Sequence, residues 1–253
     1  MKISIITPSY NSSDYIEETI NSIQNQSYQE FEHIVVDGAS QDGTIDILKK
    51  YSNIYWISEP DYGQSNAINK GFRLASGDIF AWQNADDLYF PYTFEVVAET
   101  FQKYPEIDII YGDYQIIDAQ GNKKCDVNSV DWNLWLFKHG RFVPTQPTAF
   151  WRRKVYESVG DLNENLYYCM DLDFFCRAAC KQFNFFKVNK SLGQFRRHPN
   201  SKTSNPQNDK HIYKEKKTIL TRNFHFSFLD LIYSDFFYYR GKLAKNIKLT
   251  LGI

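Results

Sequence analysis

The sequence predicts an α/β fold built on a mostly parallel central sheet, and three observations lead there. Four short apolar runs, Ile3 to Ile6, Phe31 to Val36, Ile54 to Ile57 and Ile79 to Trp82, each precede a stretch of helical character. Repeated strand–helix alternation of this kind makes right-handed parallel units. Each run also ends in a polar, turn-forming segment, which puts those segments at the carboxyl edge of the sheet, where such folds bind ligands. Finally, 253 residues suffice for one sizeable α/β domain with an appendage, or for two small domains.

The first strand breaks at Thr7-Pro8-Ser9-Tyr10-Asn11, after which Ile16, Ile20 and Ile23 recur at helical spacing. Ser13 or Asp14 is placed to cap that helix. The second strand ends in Asp37-Gly38-Ala39-Ser40-Gln41-Asp42-Gly43-Thr44, rich in glycine, acids and hydroxyls. Asp37 either accepts hydrogen bonds from a base or ribose or forms an Asx turn. A short helix, Ile45 to Lys50, leads to the third strand and then to Glu59-Pro60-Asp61-Tyr62-Gly63. Gln64 to Ala75 reads as a helix with Ala67, Ile68, Phe72 and Ala75 on one side, closed by Ser76-Gly77. The fourth strand delivers Gln83-Asn84-Ala85-Asp86-Asp87. Adjacent carboxylates at a strand end repel, so a cation or a substrate hydroxyl between them relieves the fold; a solvated acidic turn is the other reading.

Beyond this point the pattern changes. Phe94 to Phe101 is helical, and an extended run from Ile107 reaches Ile117. Trp132, Trp135, Leu136 and Phe137 pattern as a short aromatic helix, and Gln146 to Trp151 returns to extended chain. A helix starting in Leu166 to Phe175 runs to about Lys181, and Phe195-Arg196-Arg197-His198-Pro199-Asn200-Ser201 reads as a late loop. Trp82, Trp132, Trp135 and Trp151 read as core more than as stacking platforms for a ligand.

Composition removes several function classes. A formal net charge of -1 gives no global pull on nucleic acid. No Gly-x-Gly-x-x-Gly or Gly-x-x-x-x-Gly-Lys-Ser/Thr turn occurs, which argues against a dehydrogenase or a P-loop NTPase. The four cysteines, Cys125, Cys169, Cys176 and Cys180, form no Cys-x-x-Cys pair. Cys176 and Cys180 share a helix face and read as small buried hydrophobes, and reduced thiols imply a cytoplasmic protein. The N-terminus lacks a signal-peptide pattern, and no apolar run reaches the ~18 residues of a membrane span. A soluble or peripheral protein is expected.

Taken together, these motifs resemble family 2 glycosyltransferases, inverting enzymes with the GT-A fold. Thr7-Pro8-Ser9-Tyr10-Asn11, Val36-Asp37-Gly38-Ala39-Ser40 with Asp42-Gly43-Thr44, and Asn84-Ala85-Asp86-Asp87 fall in the family's order and spacing. Asp61-x-Gly63, Asn69-Lys70-Gly71, Gln146-Pro147-Thr148, Met170-Asp171-Leu172-Asp173 and Arg197-His198-Pro199-x-Ser201 resemble its bacterial polysaccharide-assembly branch. The resemblance covers residues 2 to 203 and implies a GT-A domain over 1–204 with a helical extension over 205–253.

It also implies roles. Thr7, Pro8, Tyr10, Asn11, Asp37, Gly63, Asn69 and Asp86 would hold the nucleotide, with Asp86 at the ribose or the metal. Asp87 and His198 would ligate a divalent metal, Mn2+ or Mg2+, on the diphosphate. Asp171 would be the general base, with Asp173 as the fallback. Two positions depart from the family pattern: Asn84 stands where many relatives have Asp, and Met170 where many have Glu. Asp171 has a second reading as a helix N-cap, and His198 one as an ordinary loop histidine beside Arg196 and Arg197, which suit an anion.

The chemistry fits an inverting transfer: a base takes the acceptor proton while a metal carries charge building on the leaving diphosphate. Oxygen ligands suit Mg2+, and adding His198 favours Mn2+. The expected donor is a nucleotide sugar, UDP-linked first, and the acceptor a glycan or lipid-linked hydroxyl. The rival readings are a catalytically silent nucleotide-sugar-binding protein and a sugar nucleotidyltransferase, although the Gly- and Arg-rich N-terminal loop of the latter is missing.

The tail carries nine Lys/Arg against three Asp/Glu between Lys210 and Ile253, with dense aromatics from Phe224 to Tyr239. A basic, aromatic helical hairpin there would lie on the inner face of an anionic membrane, or pack on the body or on a second copy in a homodimer.

Overall fold

Seven consecutive buried residues, Ile3–Ser9, form β1. A strand buried on both faces needs helices above and below it, and the alternation supplies them. In the computed structural model, which describes residues 1–202 and 206–224, β1 is followed by α1 (Ile16–Gln24), β2 (Phe31–Asp37), α2 (Thr44–Leu48), β3 (Tyr55–Ser58), α3 (Gln64–Leu74) and β4 (Ile79–Trp82). These four strands lie in the order β3-β2-β1-β4, with β1 parallel to both its neighbours.

The later elements are β5 (Leu88–Tyr89), α4 (Thr93–Lys103), β6 (Ile109–Ile117), β7 (Lys123–Val127), α5 (Leu134–Lys138), β8 (Phe150–Arg152), α6 (Arg153–Val159), α7 (Met170–Cys180), β9 (Phe185–Arg196) and α8 (Asp209–Asn223). They extend the same sheet as β4-β8-β6-β9-β5, with β7 on β6. β8 runs antiparallel to β4 and β6, whereas β6 and β9 are parallel.

Helices cover both faces. Ile16, Ile20 and Ile23 of α1 are fully buried, the first two packing with Val35 and Leu48. On the other face Phe72, Phe80, Trp82, Trp151 and Phe174 form an aromatic core, with Trp82 and Trp151 centroids 5.4 Å apart. Removing a ring such as Trp151 costs about 3–5 kcal/mol. α3 lies so close to β1 that a Cβ on Gly71 would overlap Ile6 side-chain carbons, so only glycine permits this approach.

Several expectations need correction. α1 has Tyr15 as its N-cap without a side-chain bond; Ser12 O accepts from Tyr15 and Ile16 instead. Neither Ser13 nor Asp14 therefore caps α1, and the amide of Ser13 donates to Asp42 Oδ2 at 2.9 Å. Gln146–Thr148 is a 3-10 turn, with β8 following it. β5, β7, α6 and most of β9 were not anticipated. β9 mixes lysines and asparagine into its apolar positions, and its register on β6 shifts near Gly112–Tyr114, so no clean period marks it. Cys176 is buried as expected but Cys180 is exposed. α8 sends Ile219 and Leu220 into the body's core. The aromatic hairpin expected after Phe224 lies outside the described residues. Among the described residues, no helix is long and apolar enough to cross a membrane.

Candidate active site

The chain runs outward from β1 to β2 and β3 and then returns to β4 on the other side of β1. Two loops therefore part at the carboxyl ends of β1 and β4, the position where open α/β sheets take ligands. Tyr10, 66% exposed, stands at one lip. The β1 and β2 loops are stitched together: Asn11 N donates to Ser40 Oγ at 2.7 Å, and Gln41 N to Asn11 Oδ1 at 2.9 Å. Burial acts to push the Asp42 carboxyl up, but bonds from Thr44 and Ser13 bring it down to about 2.

Some motif residues build this edge without facing it. Asp37 is buried, and its oxygens accept from Ser40 N, Ser40 Oγ and Ser58 Oγ, so its Asx-turn reading describes its contacts. Thr7 Oγ1 bonds His33 Nε2 at 2.9 Å inside the sheet, and Pro8 is buried in β1. Asn69 is not brought to the cleft: it is buried, its Nδ2 donates to Leu162 O and Glu164, and its Oδ1 accepts from Leu162 N. Gly63, at φ +108, opens α3 and donates to Asp61 Oδ1 at 2.7 Å; its conformation suits glycine.

The two carboxylates after β4 point apart. Asp87 is 0% exposed; Oδ1 accepts from Arg196 N at 2.9 Å and Oδ2 from Asn84 Nδ2 at 3.0 Å. Burial and the neighbouring Asp86 push its carboxyl up, against those two donors. Asp87 is thus a tie within the protein, not an open ligand. Asp86 is 29% exposed at its side chain, and its Oδ2 lies 2.9 Å from His198 Nε2. His198 packs against the Tyr15 ring at 4.6 Å.

Arg196 does not act as an open anion contact. It is buried, donating to Asp86 O at 2.8 Å, Ala119 O at 3.1 Å and Glu18 Oε2 at 2.6 Å. β9 thereby aims the His198 loop at Asp86.

Asn84 has a role that a carboxylate could not fill. Its amide nitrogen donates to Asp87 and to Gln146 Oε1 at 2.9 Å, while its oxygen accepts from Gln64 Nε2 at 2.8 Å. An Asp here would offer no donor to the buried Asp87.

Asp171 sits half-buried in the first turn of α7. Burial raises its carboxyl to about 6, partly countered by the Leu172 amide and by Lys216. The N-cap of α7 is Cys169, so the capping reading of Asp171 fails. The fallback Asp173 is also excluded as an open base: it is buried and paired with Arg177 at 2.9 Å and with Arg222. Met170 is core. Lys202 bridges the start of α3 and the segment before α7, since its Nζ donates to Gln64 Oε1 at 2.8 Å and lies 4.3 Å from the Tyr167 ring centroid. Trp132 stacks on Phe185 at 3.8 Å, whereas Trp135 is 59% exposed and stacks on His139. Only Trp135 is available as a platform of the two.

Sequence reasoning missed Gln64, Lys202 and Glu215, and took Gln146 only as part of a motif. Each acts through a partner far along the chain, and no local signal marks them.

For a divalent metal, no group of three or more His, Cys, Asp or Glu gathers among the described residues. Asp86 and His198 nevertheless fit as two donors. Neighbouring ligands about 2.1 Å from an ion lie roughly 3 Å apart, as this pair does, and diphosphate oxygens and water commonly complete such shells.

The family model described as Glycosyl transferase family 2 matches residues 4–154. An uncharacterized glycosyltransferase of Nostoc sp. is 33% identical over 177 residues, 63% of this chain and 53% of its own length. The putative teichuronic acid biosynthesis glycosyltransferase TuaG of Bacillus subtilis is 42% identical over 90 residues, 34% of this chain and 36% of its own length. The chain thus spans about half the length of the first relative and less of the second. Among solved structures, S. aureus TarS 1-349 in complex with UDP-GlcNAc superimposes with a TM-score of 0.71 at 21% identity. That match covers 87% of this chain and 65% of TarS 1-349, and it establishes the GT-A fold.

Proposed function

Because the chain belongs to glycosyl transferase family 2, we propose that it moves a sugar from a nucleoside-diphosphate donor to an acceptor hydroxyl with inversion. The observation that carries this reading is the pairing of Asp86 with His198 at 2.9 Å at the sheet's switch point. A UDP-sugar is the first donor to test, since TarS was solved with UDP-GlcNAc. A glycan or lipid-linked acceptor fits the likeness to TuaG, whose name places it in teichuronic acid synthesis.

In this reading Tyr10 and Asn11 stand at the base and ribose, and Gly63 lies at the donor-side lip. Thr7, Pro8 and Asp37 support the nucleotide side by shaping the β1 and β2 loops. Asp86 and His198, in place of Asp87, would hold the divalent ion, and a His198 nitrogen in that set would favour Mn2+. The chemistry supplied by that ion when bound is neutralisation of charge on the departing diphosphate. Asp171, held near 6, is ionised at neutral pH and basic enough to take the acceptor proton.

The test is nucleoside-diphosphate release from a panel of UDP- and GDP-sugars, with and without glycan and lipid-linked acceptors. Release that disappears in Asp171→Asn while donor binding persists supports the reading. Donor binding without release from any acceptor identifies a silent binding protein, and pyrophosphate release from a nucleoside triphosphate identifies a nucleotidyltransferase.

A further inference from the structure

α7 begins without a cap of its own. Cys169, its N-cap residue, makes no capping side-chain bond. The amides just before the helix instead converge on one carboxylate from another element. Glu215 of α8 accepts from Tyr167 N at 2.9 Å and from Tyr168 N and Cys169 N at 2.8 Å each. A carboxylate at a helix N-terminus meets both unpaired donors and the positive end of the helix dipole. The next residue, Lys216, donates to Gly140 O at 2.6 Å. Ile219 and Leu220 then fix α8 in the main apolar cluster. Both α7 and α8 lie beyond residues 4–154, which the family model matches.

We propose that α8 is a positioning clamp for the base: Glu215, by taking the amides of Tyr167, Tyr168 and Cys169, fixes the segment that carries Asp171. This rests on the reading of Asp171 as base. The charged groups around Asp171 are Glu215 and Lys216 of α8; the Cys169 thiol is beside it, and Arg141 adjoins Lys216. On α7 itself, Asp173 is taken up by Arg177 and by Arg222 of α8. Glu215 and Lys216 therefore act on one carboxylate in opposite directions: the acid disfavours its ionised form and the lysine favours it.

The experiment compares wild type with Glu215→Gln, Glu215→Ala and Lys216→Met. The Asp171 carboxyl is titrated by 13C NMR, assigned with Asp171→Asn, alongside amide exchange at Tyr167–Cys169 and turnover against pH. The clamp predicts a lower titration midpoint in Glu215→Gln and a higher one in Lys216→Met. It also predicts amide exchange roughly tenfold faster in Glu215→Ala, with loss of kcat and unchanged binding of the donor nucleotide. A general structural defect would not move the midpoint in opposite directions. Unchanged exchange, or midpoints that move the same way or not at all, overturns the proposal. Full turnover by Asp171→Asn removes the base reading alone, because the midpoints and exchange rates still decide whether the clamp exists.

Discussion

His198 and Asp86 are 112 residues apart in the chain, and their side chains meet at 2.9 Å. The contact exists because β9 lies parallel to β6 and its last residue, Arg196, is locked beneath the β4 loop by Asp87 Oδ1 and Asp86 O. One acid of the pair is therefore spent on architecture so that the other can face the cleft. This division of labour explains why Asp87 is buried and Asp86 is not.

The same division makes Asn84 a support for Asp87. Asn84→Asp, which restores the residue many relatives carry, should destabilise the protein by about 1–3 kcal/mol, because it removes a donor from a buried carboxylate and adds a like charge. Urea unfolding at neutral pH measures it; an unchanged midpoint would mean Asn84 does not hold Asp87.

Asp171→Asn should lower kcat by about 10²–10⁴-fold, the usual contribution of general base catalysis. In the wild type, kcat should fall on the acid side with a midpoint at about 6, since the base works only when ionised. That limb should be absent from the residual activity of the variant, as a stopped assay between pH 5 and 8 would reveal.

Trp135 and Trp132 should separate cleanly. Trp135→Ala should leave stability within about 0.5 kcal/mol, as at exposed sites generally, while raising the KM for a glycan acceptor. Trp132→Ala loses the Phe185 stack and should cost about 3 kcal/mol. Paired melting and kinetic measurements check both; equal effects on stability would contradict the assignment.

Glu32 gives an acid-stability prediction. Burial would raise its carboxyl, but Lys2, Ser4 and Ser76 bring it down to about 2. Its folded value lies below the unfolded one, so its contribution is full above about 4.5 and fades as pH falls towards 2. Glu32→Gln should therefore be less stable than wild type by about 1–3 kcal/mol at pH 7, with the difference shrinking below pH 4.5. Thermal melts across that range decide it.

Much of the N-terminal half was legible because strand and helix each bury a simple face. Ile16, Ile20 and Ile23, or the run Ile79 to Trp82, announce their surroundings directly. The ends of those strands then placed Tyr10, Asn11 and Asp86 at one edge. What stayed hidden was decided by partners distant in sequence. Nothing local distinguishes Asp86 from Asp87; the amide of Arg196 and the side chain of Asn84 do so. Asn69 was expected at the nucleotide only through the family resemblance of Asn69-Lys70-Gly71, yet its contacts lie with Leu162 and Glu164. Glu215 reads as one acid in a basic helix until α8 is docked on α7.

The most direct test of the central claim is thermal unfolding of wild type and Asp86→Asn with UDP or GDP, in Mn2+ and in EDTA. A nucleotide at 100 times its Kd should stabilise by about 2.7 kcal/mol. The account predicts that one nucleotide raises Tm only with Mn2+, and that Asp86→Asn loses this rise while folding normally. No rise with either nucleotide, or an equal rise in Asp86→Asn, would contradict a donor site built on Asp86 and His198.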